Sequence, residues 1–288
     1  MRLAHISDIH FCGQHREAIE AVRQNLEAEP VDGVVVTGDI TADGQAAEFA
    51  AAFDWFNTLP APVLVLPGNH DTPYFNLAAR AVAPFARYHK YLRRALVAGR
   101  VRHDPWRTDD FAIAPINTAR GMQLRLNWAL GAISRGQSTR AARVLAPASP
   151  NALRIVATHH PLIWPEQSPI IGDTRGGARA MARLVNAGAR LFLSGHLHAS
   201  IVATVHTKNG AAISVSAGTL SARLRGEPPS FNRLSRALGD AVLNVEQLNI
   251  IDGAVEVANI ARMDINTAEP ISAIGAEVQD LHTDDVSA

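Results

Sequence analysis

Five short clusters hold the residues of this chain that could do chemistry: Asp8-Ile9-His10, Gly38-Asp39, Gly68-Asn69-His70-Asp71, His159-His160-Pro161 and Gly195-His196-Leu197-His198. Imidazoles, carboxylates and a side-chain amide are metal ligands, and this mixture suits Mn, Fe or Zn better than an all-oxygen Mg or Ca site. One cluster alone is weak, since Gly-Asn is an ordinary turn signal. Their weight comes from a shared placement after apolar runs.

Those runs define the elements that must position the clusters. Arg2 to Ser7 reads as a short strand ending at Asp8. A helical pattern follows, with Ala18, Ile19, Ala21, Val22 and Leu26 on one face, until Pro30 stops it. Gly33 to Thr37 is a continuous β-branched run, as expected of a strand covered on both faces. Ala46 to Leu59 is helical, and Pro62 to Leu66 is the strand that delivers Asn69 and His70, with Gly68 turning the chain. This alternation predicts a parallel sheet with helices outside it, whose ligands bind beyond the carboxyl ends of the strands.

Further along, Tyr74 to Gly99 is helix-compatible with a break at Pro84, and Phe111 to Asn117 reads as a strand. Thr118 to Ser134 is a long loop carrying Arg120, Arg125, Asn127 and Trp128, of the kind that walls active sites. Thr139 to Leu145 reads as a short basic helix, Leu153 to Thr158 as the strand before His159, Ala178 to Asn186 as a helix, and Arg190 to Ser194 as the strand before His196. Strands follow at Ser200 to Val205, Ala211 to Ser216, Ala241 to Ile250 and Ala254 to Ile260, with hairpin turns at Asn209-Gly210 and Asp252-Gly253. Gly218 to Arg236 reads as a loop, and the later strands are expected to form a second sheet packed on the first. Residues 1–262 are expected to form one domain, and 263–288 an acidic tail, flexible or surface-packed.

Lys plus Arg (27) equals Asp plus Glu (27), so no global field favours extended nucleic acid or an anionic membrane. Cys12 is the single cysteine, which forbids an intramolecular disulfide and fits a reducing cytoplasm. The chain reaches polar residues before a signal-peptide core could form, and it has no apolar run long enough for a membrane span. A cytoplasmic protein is expected, with a homodimer left open.

In order, the five clusters resemble the calcineurin-like metallophosphoesterase superfamily, in particular its class III cyclic nucleotide phosphodiesterase-like branch, from about residue 3 to about residue 260. The resemblance implies an α/β fold, a four-layer αββα sandwich of two mixed β-sheets flanked by helices, with a dinuclear metal site at the strand C-terminal ends. It implies two divalent or mixed-valence transition metal ions (Mn, Fe or Zn), the first held by Asp8, His10 and His198, the second by Asn69, His159 and His196, with Asp39 bridging. His159 is chosen over His160 because the family's ligand is followed by one variable residue and then often proline. His160 then becomes a wall or supporting residue, facing substrate together with Asn69 and His70.

The resemblance also implies a reaction. Two ions about 3.5–4 Å apart lower the pKa of a shared water and clamp an in-line displacement, so a metal-bound hydroxide would attack phosphorus without a covalent enzyme intermediate. His70 would serve the leaving oxygen, and Asp71 would orient that imidazole. The expected substrate is a small phosphodiester, a cyclic nucleotide such as 3′,5′-cAMP first. Glycerophosphodiesters and phosphomonoesters are the alternatives. A DNA nuclease fits the charge balance and length poorly, and an inactive scaffold fits poorly with all seven expected ligands and His70 present.

The other polar residues have plainer readings. His5, His15, His89, His103, His206 and His282 read as surface or hydrogen-bonded histidines. Cys12 reads as a small buried side chain. Trp128 and Trp164 are either a base-binding wall or packing residues. Arg120, Arg223 and Arg225 read as solvated, with substrate phosphate as the alternative partner. Ser216 to Thr219 is expected to approach the metals from below.

Overall fold

The computed structural model describes residues 1–97, 99, 101–125, 127–275 and 277–283. Residue 126 of the expected wall loop, and 276 and 284–288 of the expected tail, lie outside the described residues. The chain begins with β1 (Arg2–Ile6), α1 (Arg16–Ala28), β2 (Gly33–Thr37), α2 (Ala46–Thr58) and β3 (Val63–Leu66). It continues through α3 (Leu77–Val82), α4 (Ala86–Val97), β4 (Val101–Arg102), β5 (Trp106–Arg107), β6 (Phe111–Pro115) and β7 (Gly131–Ala132). Then come α5 (Arg135–Leu145), β8 (Leu153–Ala157), β9 (Thr174–Arg175), α6 (Gly177–Asn186) and β10 (Leu191–Ser194). Strands close the chain: β11 (Ile201–Thr207), β12 (Gly210–Ser216), β13 (Ser230–Ser235), β14 (Val242–Ile251), β15 (Ala254–Asp264), β16 (Pro270–Ile274) and β17 (Gln279–His282).

Successive side chains of a strand point to opposite faces, so a strand apolar at every position must be covered twice. Leu3, Val35 and Leu64 meet Ile113, Ile155 and Leu193 in a core between two sheets. On their other face Ala4, Val34, Val36 and Val65 pack against Val22, Leu26, Phe49 and Leu92 of α1, α2 and α4. Across the molecule Ala112, Val156 and Phe192 pack against Leu145, Met181 and Leu184 of α5 and α6. The layers are therefore helices, sheet, sheet, helices, the four-layer αββα arrangement. Leu64 has no exposed surface, so truncating it to alanine would cost about 2–5 kcal/mol.

The first sheet runs β16-β15-β14-β13-β1-β2-β3-β4 and the second β17-β11-β12-β10-β8-β6-β5. β1, β2 and β3 are parallel, as are β6, β8, β10 and β12. Parallel strands present their carboxyl ends at one edge, which is how each sheet delivers its clusters to a common rim.

Three expectations are corrected. The supposed loop Gly218 to Arg236 contains β13, which pairs antiparallel with β1 (Leu3 opposite Leu234) and with β14. Its polar Asn232 and Arg233 hid it, and both are buried with partners: Asn232 donates to the Ser216 carbonyl, and Arg233 bonds Glu246 and Asn25. Second, β13 to β16 extend the first sheet, and only β11, β12 and β17 among the late strands join the second. Third, the expected tail is built into both sheets: Met263 is fully buried, β16 pairs with β15, and β17 pairs with β11. The Asp252-Gly253 hairpin is as expected, with φ of 48° and 77°.

Candidate metal centre

The strand-end turns are conformationally unusual. Asp8, His10, Asp39, His196 and His198 have φ of 52°, 50°, 48°, 70° and 57°, in the left-handed region. Each such residue costs about 1–3 kcal/mol and persists only where its surroundings demand it. Backbone bonds supply part of that demand: Asp8 N–H donates to the Gly38 carbonyl at 3.1 Å, His10 N–H to that of Asp39 at 3.0 Å, and Gly195 N–H to that of His159 at 2.9 Å. Gly68 acts here by its missing side chain, because a Cβ would overlap the Asp39 carboxylate.

All seven expected ligands converge at this rim. His198 Nε2 lies 3.3 Å from Asp8 Oδ1 and 3.3 Å from His10 Nε2. His159 Nε2 lies 3.4 Å from Asp39 Oδ2, 3.0 Å from Asn69 Oδ1 and 3.2 Å from His196 Nδ1. Asp39 Oδ2 is also 3.9 Å from His10 Nε2, so its carboxylate stands between the two groups.

The hydrogen bonding fits cations at both positions. His159 Nδ1 donates to the Thr37 carbonyl at 2.7 Å, and His198 Nδ1 to that of Arg223 at 2.9 Å, so in the neutral rings each Nε2 lone pair points into the site. Those lone pairs face carboxylate and amide oxygens, and Asp8 Oδ1 is buried with no hydrogen-bond partner. Buried acceptors crowded together without donors are repulsive unless a cation joins them. Transition metals suit this nitrogen and oxygen donor set.

The electrostatics agree. Burial pushes His10 down to about 4 and His196 down to about 3. Burial also works against the charged form of His159, yet Asp39 beside it lifts that ring to about 9. Burial would raise Asp39 itself, but His159 and His70 hold it well below the carboxylate range. The carboxylates thus draw positive charge to one side of the site, at His159, while burial keeps His10 and His196 neutral and able to act as ligands.

Two expected roles are corrected. Asp71 does not touch the His70 ring: its carboxylate accepts the backbone N–H groups of Ile40 (3.2 Å), Thr41 (2.9 Å) and Gly68 (2.8 Å) and the Thr41 hydroxyl (2.8 Å). The His70 ring is oriented by the Ala42 carbonyl, 2.7 Å from Nδ1. His160 does not wall a substrate cavity: it is fully buried, with its ring nitrogens 2.9 Å from Thr118 Oγ1 and 2.7 Å from the Ala129 carbonyl. It packs against the His196 ring at 4.5 Å between centroids. Sequence reasoning could not have found the carbonyls of Thr37, Ala42 and Arg223, because a backbone acceptor leaves no residue-type signal.

Two cavities open beside the centre, and Asn69 and His70 line both. One, of about 440 Å³, is lined by Asp39, His196, His198, Trp164, Ile171 and Arg225. The other, of about 380 Å³, is lined by Tyr74, Leu77, Arg80, Trp128 and Ala129. Arg80 lies over the Trp128 ring, 5.7 Å from its centroid, and donates to the Gly121 carbonyl. Arg120 is instead tied to Asn117, Ala119 and Gln137. Cys12 is exposed rather than buried. Thr219 does approach from below, donating to the Asp8 carbonyl at 2.7 Å. His5 is fully buried against Thr37 Oγ1 at 3.0 Å.

Comparison with known proteins adds four findings. The family model for calcineurin-like phosphoesterases matches residues 1–200. Glycerophosphodiester phosphodiesterase GpdQ from Enterobacter lignolyticus is 37% identical over 83 residues, 25% of this chain and 30% of that protein. A probable cyclic nucleotide phosphodiesterase from Synechococcus sp. is 29% identical over 82 residues, 25% of this chain and 32% of that protein. The matches thus span about a third of each relative's length. A dimetal phosphatase from Danio rerio superposes with a TM-score of 0.61 at 13% identity, over 93% of this chain and 99% of that one, which is a likeness of fold.

Proposed function

Because the chain belongs to the calcineurin-like phosphoesterase family, we propose that it is a dinuclear metal-dependent phosphodiesterase acting on small phosphodiesters, with 3′,5′-cyclic nucleotides as first choice. Asp8, His10 and His198 would hold one ion, Asn69, His159 and His196 the other, and Asp39 both. Two such ions, when bound, supply an activated water and the charge that steadies a phosphoryl group during displacement.

The observation that carries the reading is the position of His70. It lines both cavities, so a phosphoryl group beside Asp39 and His196 would have its leaving alcohol on the Tyr74 and Trp128 side. With Nδ1 fixed on the Ala42 carbonyl, the other ring nitrogen is the one that would give a proton to the leaving oxygen. Trp128, held under Arg80, offers a face for a planar base. Arg225, at the edge of the metal-side cavity, is placed to meet a non-bridging phosphate oxygen.

A glycerophosphodiester is the second reading, favoured by the similarity to GpdQ. Among the described residues no helix is long and apolar enough to cross a membrane, and the free, exposed Cys12 suits a reducing compartment such as the cytoplasm. The test is a substrate panel on Mn-, Fe- and Zn-loaded protein. Bis(p-nitrophenyl) phosphate should be hydrolysed faster than p-nitrophenyl phosphate, and 3′,5′-cAMP faster than glycerophosphocholine. A preference for the monoester would overturn the diesterase reading.

A further inference from the structure

Away from the rim, a second group of metal-ligating side chains sits where the two sheets end. β11 and β17 run parallel with His206 opposite His282, and the two imidazoles stack with centroids 4.8 Å apart. Asp280 and His282 alternate on the outward face of β17 while Leu281 points into the core. Asp280 Oδ1 lies 2.6 Å from His206 Nε2, and its Oδ2 lies 4.0 Å from His282 Nε2. The ligand atoms of these three residues all fall within 4.8 Å of one another. Glu269, from the turn between β15 and β16, brings Oε1 to 3.9 Å from His206 Nε2.

We propose that His206, Asp280 and His282 form a separate structural zinc site, with Glu269 or water as the fourth ligand. Two imidazole nitrogens and one carboxylate oxygen are a common zinc donor set, and with bonds of about 2.0–2.1 Å a tetrahedral site needs neighbouring ligand atoms about 3.3 Å apart. Asp280 Oδ1 and His206 Nε2 are 2.6 Å apart and the three ligand atoms lie within 4.8 Å of one another, so the shell closes once the stacked imidazoles, at the protein surface, turn until both lone pairs meet the ion. An ion pair with Asp280 accounts for one histidine; the second imidazole, stacked on the first with its Nε2 turned toward the same carboxylate, is what a metal site adds. The consequence is mechanical. β17 is an edge strand of the second sheet, and Glu269 precedes β16, the edge of the first. An ion here would pin the C-terminal strand to β11 and to the far edge of the other sheet.

The site is independent of the rim, so it is tested with the rim filled. Full-length protein is loaded with Zn at the catalytic centre and titrated further with Zn, or with Co as a spectroscopic stand-in. One further equivalent should bind, with Co giving tetrahedral visible absorption, and the site should raise the melting temperature and slow proteolysis of the C-terminal strand. In the double variant H206A/H282A, and in the milder D280N, that equivalent and the Co spectrum should vanish while phosphodiester hydrolysis stays within twofold. A titration that ends with the catalytic centre, or an extra equivalent that survives in both variants, overturns the proposal.

Discussion

The Asp71 carboxylate accepts both the backbone N–H and the hydroxyl of Thr41, at 2.9 and 2.8 Å, and so ties the turn after β3 to the turn after β2. Its other oxygen takes Gly68 N–H and Ile40 N–H. Asp71 thereby fixes the two turns that carry Asp39 and Asn69. Asp71→Asn puts an NH₂ group where donors already point, leaving buried donors without an acceptor, at a cost of about 1–3 kcal/mol. Relief of repulsion with Asp39 would recover part of it, since burial and Asp39 push Asp71 up to about 6. A lower denaturation midpoint and reduced metal content are expected. Full metal content at unchanged stability would mean that these bonds of Asp71 do not hold the two turns in place.

His159 and His160 are adjacent but differently used. His159 aims Nε2 at Asp39 and Asn69, whereas both nitrogens of His160 are spent on Thr118 and Ala129. His159→Asn should bind about half the metal of the native chain, as expected when one of two sites in a dinuclear centre fails. His160→Gln, which keeps a donor for the Ala129 carbonyl, should keep its metal and lose only some stability. Metal analysis of the two proteins decides between them, and equal losses would contradict the ligand choice.

The site was far more legible in the sequence than the far edge of the fold, for a physical reason. A ligand must be one of a few residue types at a strand end, so Asp8, His10, Asp39, Asn69, His159, His196 and His198 stand out by type and place, and the structure gathers all seven. Orientation is different. What turns His70 is the carbonyl of Ala42, which any residue could supply, so the neighbouring Asp71 drew the assignment instead. β13 was missed because its Asn232 and Arg233 are satisfied by partners distant in sequence, such as Asn25. The tail was misread because Asp264, Glu269 and Asp280 suggest solvation, while Ala268 and Leu281 are buried against β11, more than 60 residues away in the chain, through Thr204 and Val205.

His70 should matter according to the leaving group. With an alkoxide leaving, as from a cyclic nucleotide, the transition state needs a proton, and His70→Ala should lose about 10²–10⁴ in kcat. With p-nitrophenolate leaving, little protonation is needed and the loss should be much smaller. Metal content should be unchanged, because His70 contacts Asp39 through its backbone N–H, which alanine keeps. Equal losses on both substrates would mean that His70 positions the phosphate rather than serving the leaving oxygen.

His5 makes stability depend on pH. Burial drives its pKa from 6.5 to about 3, against the pull of Asp8. Between those values the unfolded chain binds the proton and the folded chain does not, so this contribution is complete above pH 6.5 and is lost as pH falls toward 3. The slope is at most about 1.4 kcal/mol per pH unit, which gives a loss of about 2 kcal/mol between about pH 7 and about pH 5. His5→Gln can keep a bond to Thr37 but cannot titrate. Urea unfolding of chelator-treated protein should therefore show the native chain losing about 2 kcal/mol more than His5→Gln over that interval. The other buried histidines titrate in both proteins and cancel to first order. Parallel pH profiles would mean that His5 finds a way to accept its proton in the folded state.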